Sequence, residues 1–148
     1  MSQTAPPPVD QRQLDAMLGA IPYAQFLGVR GELRGDELTL VLPYKESLIG
    51  NPLLPALHGG VIGAFMELTA IAQIAVALRQ ERLPKTIDVG IDYLRSGRPV
   101  DTYARARIAK LGRRIANARV ECWQQQVGEP IAALHGHWLV ANGPGDGA

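Results

Sequence analysis

The chain has 148 residues, 47% hydrophobic and 20% charged, a balance that fits one compact domain with its own core and excludes a disordered or fibrous chain. With 15 basic and 14 acidic residues the formal net charge is +1, so no general positive field exists to hold a nucleic-acid backbone. A single cysteine, Cys122, excludes an internal disulfide framework and a thiol-rich metal cluster, which makes the cytoplasm the expected compartment.

Residues 1–9 carry three consecutive prolines and lack the basic start and apolar run of a secretory leader. They are expected to be a flexible lead-in to a single domain over residues 10–141, with a Gly-rich flexible tail over 142–148. From Asp10 to Ile21, the spacing of Leu14, Met17, Leu18 and Ile21 predicts a short amphipathic helix that ends before Pro22. From Phe26 the chain turns to extended runs. Leu38, Leu40 and Leu42 alternate with Thr39, Val41 and Pro43 after a Gly35-Asp36 turn signal, which predicts a hairpin. Ser47 to Leu57 is broken by Gly50, Pro52 and Pro55 and reads as a loop.

The most apolar stretch follows, Val61 to Leu78, interrupted by Glu67, Thr69 and Gln73. It predicts a helix that begins near Gly59 and ends before Pro84. An acid near its middle argues against a membrane span and for burial inside the domain. Four extended segments come next: Thr86 to Leu94, Val100 to Leu111, Ile115 to Val127 and Ile131 to Val140. The turn-forming residues between them predict a meander of hairpins. With the first hairpin this makes about six strands. A helix apolar on nearly all sides must be covered on nearly all sides, so the expected class is α+β, a curved antiparallel sheet wrapped around one long central helix.

Chemistry gathers at the start and middle of that helix. Gly59-Gly60 leaves backbone N–H groups approachable at a helix amino end, where negative charge is favoured and an oxyanion can be held. The same pair also fits a plain loop-to-helix turn. Glu67 sits among Val61, Ile62, Ala64, Phe65, Met66, Leu68, Ala70 and Ile71, with no solvated face in view. A carboxylate so placed is expected to be buried, desolvated and reactive. His58 fits either a capping or a catalytic part, and Asn51 stands in the preceding loop. Arg95, Arg98, Arg113 and Arg114 lie at strand ends or turns. They are solvated hairpin tips or, if neighbouring turns bring them together, a cradle for phosphate. His135 and His137 share a strand face without a third ligand, so no metal is expected. Cys122 reads as a packed small residue.

The run Leu57-His58-Gly59-Gly60, with Glu67 nine positions after the histidine, resembles the hotdog-fold acyl-CoA thioesterases of the PaaI-like (4-hydroxybenzoyl-CoA thioesterase-like) family. Ile91-Asp92-Tyr93-Leu94-Arg95 resembles the strand that follows the central helix in that group, and the order of elements agrees over about residues 10 to 141. The resemblance implies hydrolysis of an acyl-CoA thioester to a free acid and coenzyme A, without metal or redox cofactor. It gives the Gly59 N–H as oxyanion donor, with Gly60 beside it, and Glu67 as base or nucleophile. It makes Arg95, Arg113 and Arg114 candidates for the phosphates of coenzyme A. It also implies a homodimer or dimer of dimers, the carboxylate and the glycine turn coming from different subunits, with neither nucleic acid nor membrane as partner. Two departures stand out. Relatives carry an asparagine six positions before the histidine, where Pro52 stands here and Asn51 lies one earlier, as though the loop had one extra residue. Some relatives use a hydroxyl one turn after the acid or on the following strand to help hold water; four positions after Glu67 stands Ile71, which leaves Thr69, Thr86 or no hydroxyl for that part. A hydroxyacyl-thioester dehydratase of the same fold and a non-enzymatic acyl-CoA binding protein are the alternative functions.

Overall fold

The computed structural model describes residues 5–140. Helix α1 (Gln11–Gly19) opens on a capping box: Asp10 accepts the Gln13 N–H at 2.8 Å and the Gln13 side chain accepts the Asp10 N–H at 2.9 Å. The helix stops short of the predicted Ile21. Ile21 is the N-cap of a second, unpredicted helix, α2 (Pro22–Leu27), because proline at the first helical position loses no needed N–H and has its φ already set. Strands β1 (Arg30–Arg34) and β2 (Glu37–Leu42) form the expected hairpin, with Gly35 in the left-handed turn position at φ 64°.

The segment expected to be loop carries a 3₁₀ turn, Glu46–Leu48, and two short paired strands, β3 (Ile49–Asn51) and β4 (Ala56–Leu57). These lead into α3 (Gly59–Leu78), followed by β5 (Lys85–Tyr93), β6 (Thr102–Leu111), β7 (Ile115–Trp123) and β8 (Ala132–Leu139). Six strands form one sheet in the order β1-β2-β6-β7-β8-β5, and α3 packs on β2, β6, β7, β8 and β5. This is the expected α+β architecture. The meander, however, holds only for β6-β7-β8. Residues 94–101 do not form a hairpin: β5 pairs with β8, two strands away from β6. Three strand spacings are about 14 Å, a distance that this linker spans easily, while tight turns let β7 and β8 fill the interval.

Phe65, Met66, Ala70, Ile74 and Trp138 are fully buried where α3 meets the sheet. By length and composition α3 could cross a membrane, but most of it is buried in this fold, which accounts for its apolar character. Its polar interruptions have separate explanations. The Thr69 hydroxyl donates to the Phe65 carbonyl at 2.8 Å. Gln73 accepts the Leu38 N–H at 3.2 Å and donates to the Asp36 carbonyl at 3.1 Å, tying α3 to the first hairpin. Glu67 alone points elsewhere. The described part of the lead-in lies against the end of α3, where Arg79 donates to the Pro6 carbonyl at 2.9 Å; the predicted tail, 142–148, lies outside the described residues.

The two sheet edges differ. At β1, the Gln11 side chain accepts the Leu33 N–H and donates to the Gly31 carbonyl, both at 2.9 Å, so α1 occupies that edge. At β5 no element of the described residues does so, and Ile87 and Val89 are 52% and 37% exposed. Where β5 meets β8, the register shifts between Thr86 and Asp88, and a Cβ added to Gly136 would stand 2.3 Å from the Asp88 carbonyl oxygen. Gly136→Ala is therefore expected to cost about 2 kcal/mol or more, since a backbone atom must move to admit the methyl. A urea unfolding midpoint equal to that of the native chain would contradict this.

Candidate active site

The amino end of α3 is fixed by two backbone bonds: Leu57 N–H to the Gly97 carbonyl and His58 N–H to the Leu48 carbonyl, both 2.9 Å. A helix start leaves its first N–H groups without intrahelical acceptors. Here the Gly60 N–H is taken by Nδ1 of His58 at 2.9 Å, and the Val61 and Ile62 N–H groups by the His58 carbonyl at 3.1 and 3.2 Å. Among the described residues the Gly59 N–H has no partner. Gly59 lines a cleft of about 390 Å³ with Leu57, Ile62, Tyr93, Arg95 and Gly97. His58 is thus the helix cap, and of the two glycines only Gly59 retains a donor for an incoming oxygen.

Glu67 is half-buried, not enclosed as its neighbours in sequence suggested. Val61, Ala64, Glu67 and Ile71, at helical spacing, are all only partly covered; they form a stripe of α3 bordered by the edge strand β5. The carboxylate accepts a hydrogen bond from Thr86 Oγ1 at 3.1 Å. Of the two hydroxyls considered from sequence, Thr86 is the one at the acid, since Thr69 is spent on Phe65. Regular alternation from Tyr93 and Ile91, whose side chains reach Gly59 and Gly63 of α3, would turn Thr86 to the opposite face. The extra residue of the bulge reverses that parity and aims the hydroxyl at Glu67.

Asn51 does not reach inward in this chain: its Oδ1 accepts the Leu53 N–H at 3.0 Å in a local turn. The β3–β4 register shifts by one between Ile49 and Asn51, on the upstream side of this asparagine. Gly50 is needed beside it, because a Cβ there would lie 2.7 Å from the His58 Cα.

The arginines are not brought together within the chain. Strand register sets Arg95 near Ile131, at the end where Tyr93 pairs with Ala132, and sets Arg113 and Arg114 beyond Ile115, which pairs with Leu139. These are opposite ends of the sheet. Arg95 is 3.6 Å from Glu129 and borders both the Gly59 cleft and a neighbouring one that includes Ser96, Arg98 and Gln124. On the outer sheet face His137 bonds Asp88 at 2.8 Å and Asn117 at 3.3 Å, while the His135 ring covers Gly90. Among the described residues no group of three or more candidate ligands could hold a metal. Burial pushes the Cys122 thiol up to about 12, which leaves it without a nucleophilic thiolate near neutral pH.

An unpaired N–H at a helix start and a half-buried carboxylate on the same helix are the two parts that thioester hydrolysis uses, a donor for the developing oxyanion and a base or nucleophile. The sheet-and-helix frame is that of the hotdog fold, and the similarities that follow make the chain a thioester hydrolase. Residues 54–131 match the model of the Thioesterase superfamily, and the chain belongs to that superfamily. Among curated proteins it is similar to the Escherichia coli "Medium/long-chain acyl-CoA thioesterase YigI", 28% identical over 121 residues, covering 72% of this chain and 77% of that protein. Among solved structures it is similar to a Pseudomonas aeruginosa protein, with 29% identity, TM-score 0.78 and coverage of 88% of this chain and 98% of that one. A Chromobacterium violaceum protein is 33% identical with TM-score 0.67, covering 90% and 98%.

Proposed function

We propose that the protein hydrolyses acyl-CoA thioesters to the free acid and coenzyme A at sites built from two subunits. The observation that carries this is a distance. Glu67 lies eight positions along α3 from Gly59, a rise of about 12 Å, whereas both groups must lie within about 3 Å of the reacting atoms. One chain cannot supply both to one carbonyl. The partly covered stripe of α3 and the free β5 edge lie side by side, and a second copy added edge to edge would bury Ile87 and Val89. A two-fold axis there runs the two helices antiparallel and brings the Gly59 of one subunit toward the Glu67 of the other.

In such a site the Gly59 N–H donates to the thioester oxygen, which becomes an oxyanion as water adds to the carbonyl carbon. Glu67 takes the proton from that water, the C–S bond breaks, and the proton passes to the departing thiolate. Thr86 occupies one carboxylate oxygen and leaves the other for water. Attack by the carboxylate itself, followed by hydrolysis of the anhydride, uses the same two groups. His58 holds the glycine turn. Arg95 stands beside the Gly59 cleft as the candidate for the coenzyme A phosphates, and Arg113 and Arg114 would contribute from another subunit. The reaction calls for no metal or redox cofactor. The similarity to YigI makes medium- and long-chain acyl groups the first to offer. Mass analysis of the products is the test: free acid and coenzyme A are expected, while an intact thioester that has lost water would show a dehydratase, and binding without product would show a binding protein.

A further inference from the structure

We infer that Tyr93 is a positioning residue for the oxyanion donor, acting through the Gly59–Gly60 peptide; this rests on the two-subunit thioesterase site just proposed. Glycine has the widest backbone freedom of any residue, so a donor on Gly59 has no intrinsic orientation and must be held from outside. The donor's own peptide is held through the His58 carbonyl, which accepts the Val61 and Ile62 N–H groups, and the next peptide, Gly59–Gly60, which sets the other side of the glycine, is held at both of its polar atoms. The Tyr93 hydroxyl donates to the Gly59 carbonyl at 2.7 Å, and the N–H of the same peptide, on Gly60, donates to His58 Nδ1 at 2.9 Å. The plane of that peptide is thereby clamped between a ring on the edge strand β5 and a ring at the helix cap. The only N–H left in the turn is that of Gly59.

The Tyr93 ring also covers the glycine, since a Cβ on Gly59 would stand 3.4 Å from its Cε1, Cζ and Oη atoms, while Tyr93 itself is 54% exposed. A tyrosine kept only for burial would have no use for this geometry. The clamp joins the strand at the open sheet edge to the donor, so seating of a second subunit along β5 and orientation of the Gly59 N–H are linked through one side chain.

Tyr93→Phe keeps the ring and removes the one bond. Its expected effect is a fall of about tenfold in kcat, less than the loss of a whole oxyanion donor, with KM within about twofold and the same dimer in solution. The second measurement is the carbonyl stretch of an acyl-CoA bound to the Glu67→Gln protein, which reports the donor on that oxygen. Adding Tyr93→Phe should move the stretch back toward its value in water. An unchanged kcat together with an unchanged stretch overturns the clamp while leaving the thioesterase site standing. A native protein that hydrolyses no acyl-CoA overturns the site, and the clamp with it.

Discussion

Glu67→Gln should lower acyl-CoA hydrolysis by about a hundredfold or more, the loss expected on removing a general base or nucleophile, with fold and oligomeric state retained. Glutamine has the shape of glutamate, and its side-chain oxygen can still accept from Thr86, so the bond seen at 3.1 Å need not be lost. It cannot take a proton from water at neutral pH, nor attack a carbonyl. Glu67 is half-buried and has Thr86 as its hydrogen-bond partner. Glutamine keeps the size of the side chain and can keep that bond, so the fold is expected to be retained and a fall in turnover would not reflect unfolding. The measurement is release of free thiol at saturating substrate, with the circular dichroism spectrum as control. Turnover equal to that of the native protein would remove Glu67 from the chemistry.

Val89→Lys should abolish both the dimer and the activity. Val89 faces the same side of β5 as Ile91, with its Cγ1 close to Gly136, and it is exposed enough in a single chain for a lysine stem to lie along the strand with its charge in water. The single chain is expected to fold. Lysine on an edge strand is a common natural device against edge-to-edge pairing, and here a two-fold axis would place one such charge on each side of the junction. Because Gly59 and Glu67 of one chain lie about 12 Å apart on α3, a monomer has no complete site, and turnover should vanish with the dimer. Light scattering and thiol release, measured on the same sample, check both parts. A dimer with native turnover would place the junction on another face.

Its nearly unbroken apolar run made α3 legible, because the helix is covered by sheet on most sides and its composition had to follow. The strands from Lys85 onward were legible because turn residues bound them and small residues such as Ala116, Ala118 and Cys122 alternate toward the helix. Pairing was not. Nothing local tells β5 to pair with β8 across the sheet, since that choice depends on how much sheet α3 needs around it. Pro22 misled because proline both ends one helix and begins another. At the site, the glycine turn and Glu67 stood out in sequence through residue type and spacing. The parts hidden there are geometric: the bulge that turns Thr86 toward Glu67, the Tyr93 bond to the Gly59 carbonyl, and the capping bond that removes the Gly60 N–H from use. The apolar neighbours of Glu67 suggested burial, yet the stripe it occupies along α3 is only partly covered.

Mixing two inactive variants tests the shared site most directly. Glu67→Gln lacks the carboxylate. Gly59→Pro lacks the donor, and proline is tolerated at the first helical position, where the preceding His58 already has the extended backbone, ψ 129°, that a following proline favours. Each variant alone should be nearly inactive. If Gly59 and Glu67 act across the interface, each mixed dimer holds one intact site. Unfolding the two variants together at equal amounts and refolding them should then restore about a quarter of native turnover per chain, by random assortment of subunits in a two-fold dimer. No recovery, in a sample shown by mass to contain the mixed dimer, would contradict a site shared between subunits.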